Sequence, residues 1–151
     1  MANFNSMKDV DVKKHLATLS SLSALKPEDY ALEGKIADII AKKEKEKGKG
    51  EMKFTQIRKF FGHIKKIETT DIKGKKDNEE FDLTKLYLLM PELAYGYGRG
   101  VISKDFYEVM KICLGGNKIK TVADFKMFVN LLTAVIAYHK KIEADEKGGN
   151  R

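Results

Sequence analysis

Apolar residues recur at three- and four-residue spacings along most of this 151-residue chain and nowhere alternate convincingly with polar ones, so the pattern predicts helices joined by polar loops. The longest stripe is Phe125, Phe128, Val129, Leu132, Val135, Ile136, His139 and Ile142, about five turns of an amphipathic helix. Thr121 and Asp124 stand at capping-box spacing in front of it, each able to serve the backbone N–H of the other. Before it, Ser103 can cap a helix carrying Phe106, Val109, Met110 and Cys113, which stops at Gly115-Gly116. Asp82 can cap another, with Leu83, Leu86, Tyr87, Leu88, Leu89, Met90 and Leu93. Pro91 removes a backbone donor inside that run and should kink or divide it, and Gly96, Gly98 and Gly100 end it.

Thr55 can cap a helix bearing Ile57, Phe60, Phe61, Ile64 and Ile67. Further upstream, Pro27 suits a first helical turn, and the helix it opens runs through Tyr30, Ile36, Ile39 and Ile40 before dissolving into the Lys/Glu/Gly tract 42–50. Val12, Leu16, Leu19 and Leu22 form a weaker pattern diluted by serines, a short or frayed helix. Segment 69–80 has a single apolar member, Ile72, and reads as a mobile loop. The expected fold is an all-α, single-domain helical bundle of five to six helices over 1–151. In it 1–50 supplies peripheral N-terminal helices and a linker, 52–143 the core bundle, and 144–151 a loose tail.

Composition adds charge to this picture. Lysine and arginine number 29 against 22 acids, a net charge of +7, which suits an anionic partner such as nucleic acid or an acidic protein surface and also fits a merely lysine-rich protein. Only Arg58, Arg99 and Arg151 are arginines. No apolar run reaches the roughly 18 residues of a membrane span and no signal-peptide pattern opens the chain, so a cytoplasmic protein is expected, with no membrane partner.

The charge is concentrated on one element. At about 100° per residue, Ile57, Phe60, Phe61, Ile64 and Ile67 share an arc of roughly 120°, and Arg58, Lys59, Gly62, Lys65 and Lys66 share another opposite it. No acid interrupts 53–67, so Lys53 joins the set. A helix face of one sign is self-repelling unless something anionic lies on it, and a phosphate backbone meets that need. Arg58, near the start of the helix as read from Thr55, also lies close to the positive end of its dipole. Gly62, inside the basic arc, costs about 1 kcal/mol relative to alanine; it either admits a close-approaching phosphate or is a tolerated surface glycine.

A second cluster, Tyr95-Gly96-Tyr97-Gly98-Arg99-Gly100, sets an arginine fork beside two rings. It lacks the strand and lysine of a P-loop, and its tyrosines fit a core-packed helix terminator equally well. His15, His63 and His139 have no metal-ligand spacing; His63 adjoins the basic arc, and His139 belongs to an apolar stripe. Cys113 sits in an apolar run as a small core residue. No catalytic residue, metal site or cofactor is indicated. Apolar residues around Pro91 form either core or a face between copies.

Thr55-Gln56-Ile57-Arg58-Lys59-Phe60, Leu93-Ala94-Tyr95 followed by Gly98-Arg99, and Ala137-Tyr138-His139-Lys140 occur in one order between residues 52 and 141. In this ordered set the chain resembles the small subunit of the type III-A CRISPR effector, the Csm complex. The resemblance implies an all-helical, non-catalytic subunit present in several copies, stacked along a particle built on a guide RNA and holding the target RNA by its backbone. Its partners would be target RNA, guide RNA, the other Csm subunits and copies of itself. Within the matching motifs the basic residues are Arg58, Lys59, Arg99 and Lys140; the helical wheel adds Lys53, Lys65 and Lys66. The tail departs from the family pattern, with a glycine pair only at Gly148-Gly149 after an acidic stretch. The alternative is a structural assembly subunit whose basic face meets an acidic protein surface instead of RNA.

Overall fold

The stripe from Phe125 to His139 becomes the axis on which the rest of the chain packs. A computed structural model describes residues 9–47 and 51–149, and among these residues forms seven α-helices and one 3₁₀ turn. In chain order these are α1 (Asp9–Thr18), the 3₁₀ turn (Leu22–Ala24), α2 (Pro27–Tyr30), α3 (Ile36–Lys47) and α4 (Glu51–Asp71). They are followed by α5 (Thr84–Gly98), α6 (Lys104–Gly115) and α7 (Val122–Gly149). No strand forms among the described residues; Glu80 and Thr121 make one isolated antiparallel bridge. None of the helices is long and apolar enough to cross a membrane, as far as the described residues go. The all-α bundle is the expected fold class.

Val122, Phe125, Phe128, Leu131, Leu132 and Val135 of α7 are fully buried, because α3, α4 and the 3₁₀ turn cover the helix on several sides. Ile36, Ala37, Ile40 and Ala41 of α3 line the broadest of these contacts, the alanines letting the two helices approach closely. Val12 and Leu16 of α1 and Leu22 and Leu25 beyond it are buried in the same cluster. The N-terminal helices, expected at the periphery, thus complete the core.

Of the four predicted caps, those at Ser103 and at Thr121 with Asp124 form. Ser103 Oγ accepts from the Phe106 N–H at 3.0 Å. Asp124 Oδ2 accepts from the N–H groups of Lys120 (2.9 Å) and Thr121 (3.1 Å), while Thr121 Oγ1 accepts from the Asp124 N–H at 3.3 Å. The other Asp124 oxygen takes the Ser23 N–H at 2.9 Å, tying the 3₁₀ turn to the head of α7. Beside it the buried Lys118 donates to the Ala17 and Leu19 carbonyls at 2.9 and 2.7 Å, a cation closing the C-terminal end of α1.

Several boundaries differ from expectation for local reasons. The helix expected to run on from Pro27 is divided at Gly34, whose φ of 79° leaves the helical region; Asp38 Oδ2 then accepts the Gly34 N–H at 2.7 Å and α3 starts afresh, continuing to Lys47. Pro91 neither ends nor divides α5. The carbonyl it cannot serve is that of Tyr87, on a stretch exposed to water, where Tyr87 is 52% and Leu88 70% accessible. Asp82 acts one residue outside the helix, accepting from Thr84 N–H and Oγ1 at 3.0 and 2.7 Å. The segment expected as a loop at 69–80 gives its first three residues to α4. The rest is anchored by buried Ile72 and Phe81 and by Phe81 N–H to Lys120 O (3.0 Å) and Val122 N–H to Glu79 O (2.9 Å). Phe81 stacks on Phe125 with centroids 4.4 Å apart. Most of the tail expected to be loose continues α7, to Gly149.

Burial pushes the Asp124 carboxyl up, but the donors from Lys120, Ser23 and Thr121 outweigh burial and hold it below the usual aspartate range. A depressed folded pKa stabilises above the unfolded value and is lost as pH falls through the folded one. Urea unfolding should therefore find Asp124→Asn less stable than wild type by roughly 2 kcal/mol at pH 7, with the gap closing below about pH 4.

Candidate nucleic-acid interface

The basic helix starts earlier than its sequence suggested. Nothing between Glu51 and Thr55 breaks a helix, and an acid in the first turn suits the dipole, so α4 opens at Glu51 and Thr55 lies a turn inside it. Arg58 is then two turns from the N-terminus and gains little from the dipole. The opposition of apolar and basic arcs holds: Phe54, Ile57, Phe60, Ile64 and Ile67 are buried, while Arg58, Lys59, Gly62, Lys65 and Lys66 are exposed. Lys53 falls in the first turn, and its side chain lies outside the described residues.

The cations on this face are not equivalent. Arg58 leans toward α7: its guanidinium sits over the Phe54 ring at 5.4 Å, and Nη2 is 3.8 Å from Glu143 Oε1. The second Glu143 oxygen is 3.8 Å from Nδ1 of the buried His139, whose ring stacks on Phe54 with centroids 3.3 Å apart. Arg58 therefore closes a seam between α4 and α7. Lys65 bonds Glu68 on its own helix at 2.6 Å. Lys59 and Lys66, seven residues apart on one stripe, are exposed with no ion-pair partner among the described residues. Gly62 lies between them, and a Cβ there would meet nothing within 4 Å. The fold itself does not need this glycine.

α5 runs antiparallel beside α4. Lys85 Nζ is 2.8 Å from Asp71 Oδ1, and Glu92 Oε2 is 3.3 Å from His63 Nδ1. Lys85, Glu92 and Arg99 repeat every seven residues, so one edge of α5 faces α4 throughout and the register carries Arg99 toward the first turns of α4, level with Gln56. Between the helices runs a groove lined by His63, Lys66, Ile67, Thr70, Lys85 and Leu89. Arg99 is exposed and lies 5.6 Å from the centroid of Tyr95, itself 68% accessible. Neither tyrosine of the glycine cluster is buried in the core: Tyr95 points to solvent and Tyr97 stacks on Tyr107. Gly96 is the glycine that packing demands, since a Cβ there would stand 2.6 Å from Ile102 Cδ1. Lys140 is exposed on α7, next in sequence to His139, and has no partner among the described residues.

The structure thus leaves Lys59 and Lys66 exposed on one stripe of α4 and turns Arg58 aside, while heptad register from Lys85 and Glu92 sets Arg99 on the α5 edge that faces α4. The role of Glu143 escaped sequence reasoning because its only signal, an acid one helical turn beyond His139, acquires meaning when α7 meets α4. No group of three or more His, Cys, Asp or Glu among the described residues is arranged to hold a metal. Burial pushes the Cys113 thiol up to about 12. A thiol reagent should leave Cys113 unmodified in native protein at pH 8 and react fully on denaturation; fast native labelling would contradict this burial.

Arg58→Ala should lower stability by about 1 kcal/mol in urea unfolding, from loss of the ring contact and of a half-exposed ion pair.

In comparison with known proteins, the family described as Csm2 Type III-A matches residues 27–145. No curated protein and no solved structure matches the chain.

Proposed function

The chain belongs to the Csm2 Type III-A family and is thereby a subunit of the Csm complex of type III-A CRISPR defence; from that premise we propose that it is a non-catalytic small subunit that holds target RNA by its backbone phosphates. In this reading several copies stack along the guide–target duplex, in the cytoplasm, each touching guide and target RNA, its own copies and other subunits.

The observation that carries the reading is the pair Lys59 and Lys66. These ammonium groups stand one heptad apart, about 10 Å along the helix axis, with no carboxylate partner among the described residues and bare backbone at Gly62 between them. Arg99 from the adjacent edge of α5 adds a planar fork suited to phosphate. Lys140 and Lys65 extend the positive field at its margins, Lys65 through a Glu68 pair that phosphate would have to share. Arg58 acts chiefly as the strut that fixes α4 against α7. Copy-to-copy stacking draws support from α5, where Tyr87, Leu88, Pro91 and Tyr95 leave an apolar stripe on the outside of the fold.

Charge reversal separates this reading from assembly on an acidic protein surface. Lys59→Glu with Lys66→Glu should weaken target-RNA binding by the reconstituted complex irrespective of sequence, and lower the slope of log K against log salt by roughly two. Subunit incorporation and helicity should be unchanged. If incorporation fails instead, while assembled complexes bind RNA normally, the basic face meets protein.

A further inference from the structure

Apart from the α4–α5 edge, the surface of α6 also combines aromatic rings with cations that form no ion pair among the described residues. α6 contains two acids and two lysines, yet both acids are taken by α1: Lys13 Nζ lies 2.8 Å from Asp105 Oδ1 and 2.6 Å from Glu108 Oε1. Lys104, Tyr107 and Lys111 fall within about 60° of one another on the helix; Glu108, drawn to Lys13, borders them about 40° from Lys104, and Asp105 lies about 60° beyond it. Neither Lys104 nor Lys111 has an ion-pair partner among the described residues. Lys111 Nζ sits 5.6 Å from the Tyr107 centroid.

The Tyr107 ring is stacked on Tyr97 at the end of α5, with centroids 5.2 Å apart and 16° between the planes. Tyr97 is 40% accessible, so the stacked pair is partly open to solvent. Gly98 and Gly100 follow it, and a Cβ at either would meet nothing within 4 Å. On α5, Tyr97 lies about 160° round the helix from Arg99, which places this surface apart from the α4 edge.

We propose that Tyr97, Tyr107, Lys104 and Lys111 form a second RNA contact, in which an unpaired base stacks on the exposed part of the Tyr97 ring and the two ammonium groups take the flanking phosphates. This rests on the reading of the chain as an RNA-holding subunit and extends it from backbone to base. Two stacked rings present a fixed flat surface whose orientation needs little further ordering, and stacking tolerates any base because each has a π-face. Every unpaired charge of α6 beside the rings is positive. Lysine is depleted in the cores of protein–protein interfaces, so a ring pair flanked by two free lysines fits a polyanion better than a protein partner. Lys13 offsets one of the two negative charges of Asp105 and Glu108 and holds both carboxylates toward α1, which lessens their repulsion of the same phosphates.

The test uses assembled Csm complexes and target RNAs in which single 2-aminopurines replace successive bases. Wild type and Tyr97→Phe should quench the fluorophore at one or more positions; Tyr97→Ala should lose that quenching and roughly tenfold in affinity, with the salt slope kept. Lys104→Glu with Lys111→Glu should lose affinity and lower the slope by roughly two, which keeps the proposal testable should Tyr97→Ala fail to fold. Wild-type quenching and affinity in the Tyr97→Ala complex overturn it. Failure of these variants to enter the complex, with RNA binding normal in the particles that do form, also overturns it and assigns the surface to a protein neighbour. Loss of quenching in Tyr97→Ala alongside normal binding by the Lys59→Glu, Lys66→Glu complex would reject the α4 contact and leave this one standing.

Discussion

The fold turns on one buried carboxylate. Asp124 sits where the chain enters α7, 2% exposed, and its two oxygens receive the N–H groups of three residues, Ser23, Lys120 and Thr121. A carboxylate in that position is tolerable only because each donor is aimed at it, and it orders the donors in return. The 3₁₀ turn is thereby fixed to α7 across a hundred residues of chain. Lys118, next to it, closes α1 from the same strap of backbone. Two polar side chains thus set where α1, the 3₁₀ turn and α7 meet, and the apolar stripe fills in around them.

Charge is sorted by the same packing. A lysine-rich chain with nearly as many acids would ordinarily present a surface of mixed sign. Here several of the acids are drawn into seams between helices: Asp105 and Glu108 toward Lys13, Asp71 toward Lys85, Glu92 toward His63, and Glu143 toward Arg58. Each seam holds two helices together, and those of Asp71, Asp105 and Glu108 draw acids of α4 and α6 toward a neighbouring helix. What the outward faces keep is mostly lysine, with Glu68 paired to Lys65. Interhelical pairing and a positive exterior are consequences of one arrangement, which is why substituting Lys13 or Arg58 should disturb packing and surface potential together.

Much of this was legible in the sequence because it depends on residues close to one another. The apolar arcs of α4 and α7, the Ser103 and Thr121–Asp124 caps and the glycine stops of α5 and α6 are local physics, and they stand where the spacing put them. The elements misread were decided by distant partners. Thr55 has the chemistry of a cap, but four ordinary helical residues precede it and α4 uses them. Segment 69–80 looked unable to order itself because the residue that anchors it, Phe81, lies just past its end and stacks on Phe125. Arg58 shares the basic arc with Lys59, Lys65 and Lys66 and has no acid near it in sequence; its acid is on α7. The wheel ranks residues by direction, and it cannot rank them by whether a neighbour has already neutralised them.

That difference has an energetic consequence for any RNA-holding role. With Arg58 engaged, each copy offers about three unencumbered cations along the α4–α5 edge, Lys59, Lys66 and Arg99, and three phosphate contacts change log K by only about 2.7 per decade of salt. Such a contact is weak alone. Copies aligned on one strand would each present the same few charges at a fixed spacing, so that each bound copy raises the effective concentration of the next stretch of backbone at its neighbour. A subunit built in this way gains from having few strong contacts of its own, because register along a strand is then set by the assembly and the base pairing rather than by any single grip. The two lysines flanking Gly62 suit that division of labour better than a clamp would: mobile ammonium groups follow phosphates through small changes in helical rise without fixing which nucleotide lies where.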